Sequence, residues 1–142
     1  MPQINAAGLL LIETFEGCEL TAYPDSGGVW TIGYGHTGNV HEGDTITQAE
    51  ADALLQKDVQ SASLEVAAVA EVVLTPNQFS ALVSFQYNTG ALPGSQVLAA
   101  INADSFTEAM DHLALYVRDA TGAVLEGLVR RRAAERALFL TP

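Results

Sequence analysis

Seven of the twelve glycines in this 142-residue chain fall between Gly17 and Gly43, and that concentration limits the fold more than any other feature. Glycine weakens helix interiors and supplies the positive φ that turns need, so this stretch cannot continue the helical texture on either side of it. From Glu16 to Thr37 the chain reads E-G-C-E-L-T-A-Y-P-D-S-G-G-V-W-T-I-G-Y-G-H-T. It opens at a helix end, with Gly17 as the residue that stops the helix. Thr21 and Tyr23 lead into Pro24-Asp25-Ser26-Gly27-Gly28, and Val29, Trp30, Thr31, Ile32 and Tyr34 lead back. Pro presets φ at the first corner of a turn and Gly allows positive φ beyond it. The pattern predicts a helix end followed by a small β-hairpin.

Glu16, Asp25 and Thr31 are the reactive side chains along this stretch. Seventeen acidic residues make a Glu and an Asp nine positions apart unsurprising, and two surface carboxylates would show the same spacing. Their positions say more. The negative end of a helix disfavours an ionised Glu16, and Phe15 and Leu20 add to that effect if they cover it. Asp25 sits in a Gly-rich turn with backbone N–H donors nearby, where a carboxylate stays ionised. Two carboxyl groups in such different settings suit general acid–base cleavage of a glycosidic bond. The Thr31 hydroxyl is placed to hold a water beside Asp25.

The same stretch resembles the signature of the phage-type lysozymes, the muramidase endolysins that cut bacterial cell walls. The Glu, eight residues, Asp, five residues, Thr spacing is met by Glu16, Asp25 and Thr31 without an insertion. Similarity continues at A-L-V-S-F-Q-Y-N-T-G (Ala81 to Gly90) and G-L-V-R-R-R-A-A-E-R (Gly127 to Arg136). The resemblance implies a lysozyme-like α+β fold, Glu16 as general acid, and Asp25 and Thr31 positioning the attacking water. It implies hydrolysis of the β-1,4 bond between N-acetylmuramic acid and N-acetylglucosamine in peptidoglycan, ending in host cell lysis. Tyr87 and Asn88 match the family's aromatic–polar pair near the cleft floor, and Thr37 is a candidate backbone contact to sugar. Where the family has a Trp before the last Gly turn, this chain has Tyr116-Val117.

Length and charge narrow the function class. The chain fits one domain with a sizeable core, and 49% of its residues are apolar. Cys18 is the lone cysteine, so no internal disulfide can form. Residues 1–12 hold no Lys or Arg, and the apolar run from Ala6 to Ile12 is too short to span a bilayer. An enzyme without an export signal would wait in the host cytoplasm for a separate membrane-permeabilising protein to release it. No stable membrane insertion is expected, and a monomer is. The net charge of −11 argues against nucleic acid as a partner and is unusual for an enzyme that approaches an anionic wall. The basic residues cluster late, with only Lys57 before Arg118, Arg130, Arg131, Arg132 and Arg136.

Asn5 caps a first helix through about Phe15, with Leu9, Leu10 and Ile12 as its apolar face. Thr47-Gln48-Ala49-Glu50 is a capping box that opens a helix to about Val69, roughly 33 Å long and able to bridge two lobes. Thr75-Pro76-Asn77-Gln78 opens another, apolar on almost every side, which belongs in the middle of a core. Short helices follow from about Ser95 to Ile101 and from Asp104 or Ser105, the second turning Phe106, Met110 and Leu113 inward. A turn at Thr121-Gly122 precedes a last helix from about Glu126 to Leu140, which sets Leu128, Val129, Leu138 and Phe139 beside the arginines. The architecture is α+β over one domain, 1–142. A β-containing lobe (about 17–46), a connecting helix (about 47–70) and a helical lobe (about 75–142 plus the first helix) enclose a cleft suited to an extended sugar chain.

Supporting residues are also legible. His36 needs a partner at the base of the hairpin, and Asp58 lies beside the apolar stripe of the Thr47 helix, three residues after Leu55 and four after Leu54. A His36–Asp58 ion pair is expected to hold the two together. The Arg130–Arg132 run reads first as a solvated helix face. Since neighbouring helix positions point apart, one or two of the three can face the cleft, and Arg131 is the candidate support. His41 and His112 form no metal-ligand spacing, and two-carboxylate hydrolysis needs neither metal nor cofactor. Two alternatives stand beside hydrolysis. A lytic transglycosylase typically needs one catalytic Glu, so Asp25 and Thr31 favour water as the acceptor. A wall-binding or phage structural module with a silent site would not need the intact Glu16, Asp25 and Thr31 set.

Overall fold

A computed structural model describes residues 3–142. The first helix, α1 (Ala6–Glu16), starts where the Asn5 side chain accepts the Gly8 N–H at 3.0 Å and stops at Gly17, whose φ of +66° no side-chain-bearing residue adopts easily. Ile12 is buried and Leu9 packs on the core, but Leu10 is 64% exposed. Leu9 and Ile12 share a face at i and i+3 while Leu10 turns about 100° away, so the apolar stripe is narrower than the composition implied.

Strands β1 (Glu19–Pro24) and β2 (Trp30–Gly33) pair antiparallel, with Tyr23 opposite Thr31 and Pro24 opposite Trp30. The register slips between Glu19 and Tyr23. Residues 44–46 return along the other edge of β1, where Ala22 N–H donates to the Asp44 carbonyl and Ile46 N–H to that of Leu20, both at 2.9 Å. Helix α2 (Gln48–Val69) begins at the capping box formed by Thr47 and Glu50. Its N-terminal part packs against β2, and its far end is tied to the helical lobe by Asn102, whose side chain bonds Val69 O and Glu71 N.

Helix α3 (Pro76–Thr89) has its own capping box, Thr75 with Gln78, and Pro76 in the first turn. It is the centre of the lobe: Phe79 to Gln86 are all buried, and α1, α2 and the last helix pack around it. Helices α4 (Gln96–Asn102) and α5 (Phe106–Leu113) close one side, with Val97, Ile101, Met110 and Leu113 in the core. The Tyr116 ring meets Phe85 edge-on at 4.9 Å.

The last helix, α6 (Glu126–Phe139), departs from the reading of its charges. Arg131 and Arg132 are 3% and 1% exposed, so the solvated-face expectation holds for Arg130 and fails for its two neighbours. Val129, set beside the arginines, is 43% exposed. A helix face turned toward the core here carries guanidinium groups, because a buried carboxylate, Glu135, waits there to pair with them.

Candidate active site

Glu16 is the last residue of α1, and the Gly17 turn leaves its side chain at the junction between the hairpin and the helical lobe. Arg131 Nη1 donates to Glu16 Oε2 at 2.6 Å, with the Glu16 side chain 18% exposed. The cover that Phe15 and Leu20 would supply is not the main feature: Leu20 is 39% exposed, and the closest charged neighbour is the guanidinium. Gly35 lies on the other side. Its φ is +85°, and a Cβ there would stand 2.8 Å from Glu16 Oε1, so the backbone approaches the carboxyl as only glycine can. The turn carrying Gly35 is closed by reciprocal bonds between Ile32 and His36 and is held from below by the Tyr87 hydroxyl, which donates to the Tyr34 carbonyl.

Asp25 closes the hairpin turn. Its Oδ1 accepts the Gly27 and Val29 N–H groups at 2.9 and 2.8 Å, which keeps the exposed carboxylate in one orientation. Thr31 is 3% exposed and donates its hydroxyl to the Val29 carbonyl at 2.9 Å, leaving the oxygen lone pairs as acceptors. Tyr23, opposite Thr31, sits among Glu16, Glu19 and Asp25: partial burial first, then these three charges, push its hydroxyl above its ordinary range. Burial, helped by Glu16 and Asp58 and opposed by Arg131, pushes Tyr87 far above its ordinary range, so that hydroxyl remains a neutral donor.

Two grooves meet at this point. One, about 620 Å³, runs between the end of α1 and the start of α6 and is lined by Phe15, Glu16, Asn88, Leu125, Leu128 and Arg131 among others. The second, about 470 Å³, runs between the hairpin base and α3, past His36, Thr37, Asp58, Tyr87 and Asn88. Asn88 lines both. A depression of about 530 Å³ between the start of α1 and the middle of α2 holds none of these groups. His36 Nδ1 lies 2.7 Å from Asp58 Oδ2, and its Nε2 faces the Gly38 carbonyl at 3.0 Å. The contact ties the hairpin base to α2 as the sequence pattern suggested.

Glu16 and Arg131 line the first groove, His36, Thr37, Asp58 and Tyr87 the second, and Asn88 both; Asp25 and Thr31 line neither and lie on the hairpin, Thr31 opposite Tyr23. Sequence reasoning missed Gly35, Ser84, Arg132 and Glu135. Ser84 Oγ donates to Glu135 Oε2 at 2.6 Å, and Arg132 Nη2 donates to Asn88 Oδ1 at 2.7 Å. Arg132 Nε and Glu135 Oε1 stand 2.7 Å apart but off the hydrogen-bond angle, so neither atom has a formal partner and charge attraction alone joins them. The signal was present in R-R-R-A-A-E, which sets Glu135 at i+4 from Arg131 and i+3 from Arg132. No group of three or more potential metal ligands occurs among the described residues.

The family described as Phage lysozyme matches residues 13–135. The endolysin of Acyrthosiphon pisum secondary endosymbiont phage 1 is 37% identical over 96% of this chain and 97% of its own length. The endolysin of Bacillus phage B103 is 42% identical over 97% of this chain, which spans 54% of that longer protein. The muramidase domain of SpmX from Asticaccaulis excentricus superposes with a TM-score of 0.91, at 41% identity and full coverage of both chains. With a family match over residues 13–135 and an endolysin relative covered over nearly its full length, this chain belongs to the phage lysozyme family of glycoside hydrolases.

Proposed function

We propose that the chain is a peptidoglycan muramidase that hydrolyses the β-1,4 bond between N-acetylmuramic acid and N-acetylglucosamine. The observation that carries the reading is the placement of Glu16 on the groove wall at the end of α1, with one carboxyl oxygen clamped by Arg131 and the Gly35 backbone close to the other. Glu16 Oε2 is taken by Arg131, so the transferable proton sits on Oε1. That proton passes to the glycosidic oxygen as the bond to the anomeric carbon breaks. Asp25 Oδ1 is occupied by backbone donors, which leaves Oδ2 to accept a proton from the attacking water, with the Thr31 oxygen as a second contact for that water. Glu16 ends ionised and Asp25 protonated, and exchange with solvent resets both. Asn88, Tyr87 and Thr37 contact the glycan from the cleft walls, while His36 and Asp58 keep the hairpin in place.

The biological setting follows from the same reading. A monomer acting on the wall from outside the inner membrane would cause lysis once a separate permeabilising protein lets it through. Among the described residues no helix is long and apolar enough to cross a membrane. The test is digestion of purified peptidoglycan followed by mass spectrometry. Reducing N-acetylmuramic acid ends are expected; anhydro ends would make the protein a lytic transglycosylase, and no cleavage at all would favour a binding module.

A further inference from the structure

We propose that Glu135 is a positioning residue whose buried carboxylate sets Arg131 against Glu16 and Arg132 against Asn88, so that one cluster fixes both the acid and the amide that meet the glycan. The inference rests on the reading of Glu16 as the general acid. Glu135 is fully buried on α6. Its Oε2 accepts from Ser84 Oγ at 2.6 Å, Arg132 Nη2 at 3.1 Å and Arg131 Nε at 3.4 Å, and its Oε1 is 2.7 Å from Arg132 Nε. The guanidinium is a rigid plane, so fixing one edge aims the other. The far edge of Arg131 reaches Glu16 Oε2 at 2.6 Å, and Nη2 of Arg132 also reaches Asn88 Oδ1 at 2.7 Å. Arg132 has no acceptor, so the oxygen of the Asn88 amide must be the atom facing it. The Asn88 NH₂ is thereby turned away from Arg132 as a donor, suited to a carbonyl or hydroxyl oxygen of the glycan.

The charges explain why a carboxylate stands there. Glu16, Arg131, Arg132 and Glu135 sum to zero when both acids are ionised. Burial pushes the Glu135 carboxyl up, opposed by the two guanidiniums, and burial pushes Arg132 down, opposed chiefly by Glu135. Buried ion clusters are seldom more stable than apolar packing of the same volume, so stability alone does not account for one whose two ends both open on the cleft. Tyr87 on α3 and Tyr23 on β1 are raised further above their ordinary range by burial and by the Glu16 charge, so both hydroxyls are neutral. The Glu126–Arg130 pair on α6 and the Asp111–Arg136 pair between α5 and α6 are solvent-exposed.

The experiment compares wild type, Glu135→Gln, Arg132→Met and Glu16→Gln on soluble peptidoglycan fragments, with kcat and KM measured against pH and folding checked by circular dichroism. In Glu135→Gln the two guanidiniums lose the carboxylate that balances and aims them, so Glu16 faces uncompensated positive charge. The alkaline limb of the kcat/KM profile should move acidward by on the order of one pH unit, with kcat down at least about tenfold. Arg132→Met removes one positive charge and frees Asn88, so its limb should move the opposite way and KM should rise by about fivefold or more. If Glu135→Gln does not fold, Arg132→Met carries the test. Folded variants whose limbs stay at the wild-type pH, with losses confined to thermal stability, would overturn the inference. An inactive wild type or an active Glu16→Gln would instead overturn the reading beneath it.

Discussion

Gly35→Ala should damage activity through two separable effects. The first is backbone strain: with φ at +85°, any side chain costs about 1–2 kcal/mol. The second is contact. The new Cβ would stand 2.8 Å from Glu16 Oε1 and 3.3 Å from Cδ, whereas an ordinary carbon–oxygen approach needs about 3.4 Å or more. The carboxyl must therefore retreat by roughly half an ångström, away from the pose that Arg131 holds at 2.6 Å. Since an ångström of misplacement can cost about a hundredfold, the variant should lose about tenfold or more in kcat. The strain should lower Tm by about 3–7 °C for a chain of this size. Gly43→Ala is the control, because its φ is +89° but nothing lies within 4 Å of the added Cβ. It should show a similar drop in Tm with wild-type turnover. The assay is release of soluble fragments from purified peptidoglycan beside a thermal melt. Equal turnover in the two variants would refute the claim that Gly35 marks the seat of the Glu16 carboxyl.

Other consequences are open to direct measurement. Tyr87→Phe removes the donor to the Tyr34 carbonyl and should cost about 1 kcal/mol of stability. Because the folded hydroxyl titrates well above its ordinary range, this contribution is fully present below the unfolded value near 10 and is lost only as pH rises beyond it. Unfolding from pH 5 to pH 9 should give a constant difference, and a difference that vanishes by pH 8 would contradict it. Asp58→Asn should destabilise by about 1–2 kcal/mol by weakening the bond to His36, read as a denaturant midpoint shift, and no shift would leave the hairpin held by other means. A protein with a net charge of −11 should clear anionic walls faster as salt shortens the Debye length from about 30 Å at 0.01 M to about 8 Å at 0.15 M. Monotonic loss of activity over that range would contradict the electrostatic account.

Much of the framework was readable because local chemistry specifies it. Thr47 with Glu50 and Thr75 with Gln78 satisfy reciprocal donors within four residues, so their capping boxes appear in the sequence and the structure alike. The Pro24–Gly28 turn and the Gly17 helix stop are likewise local, and the even apolar cover of α3 announced its central place. What sequence pattern could not weigh was desolvation set against distant partners. Arg131 and Arg132 look like solvated charges until Ser84, Asn88 and Glu16, at sequence separations of 47, 44 and 115, close around them. Gly35 was one more glycine in a crowded stretch, and only the approach of Glu16 gives it a reason. Leu10 shows the opposite error: an apolar residue between two core neighbours that simply faces water.

In the proposed mechanism Glu16 donates the proton that breaks the glycosidic bond. Glu16→Gln keeps the shape of the side chain and a hydrogen-bond acceptor for Arg131 but has no transferable proton. Its turnover on purified peptidoglycan should fall by about 10²–10⁴, with far-UV circular dichroism unchanged from wild type. A folded Glu16→Gln variant that keeps more than a few per cent of wild-type turnover would contradict the account.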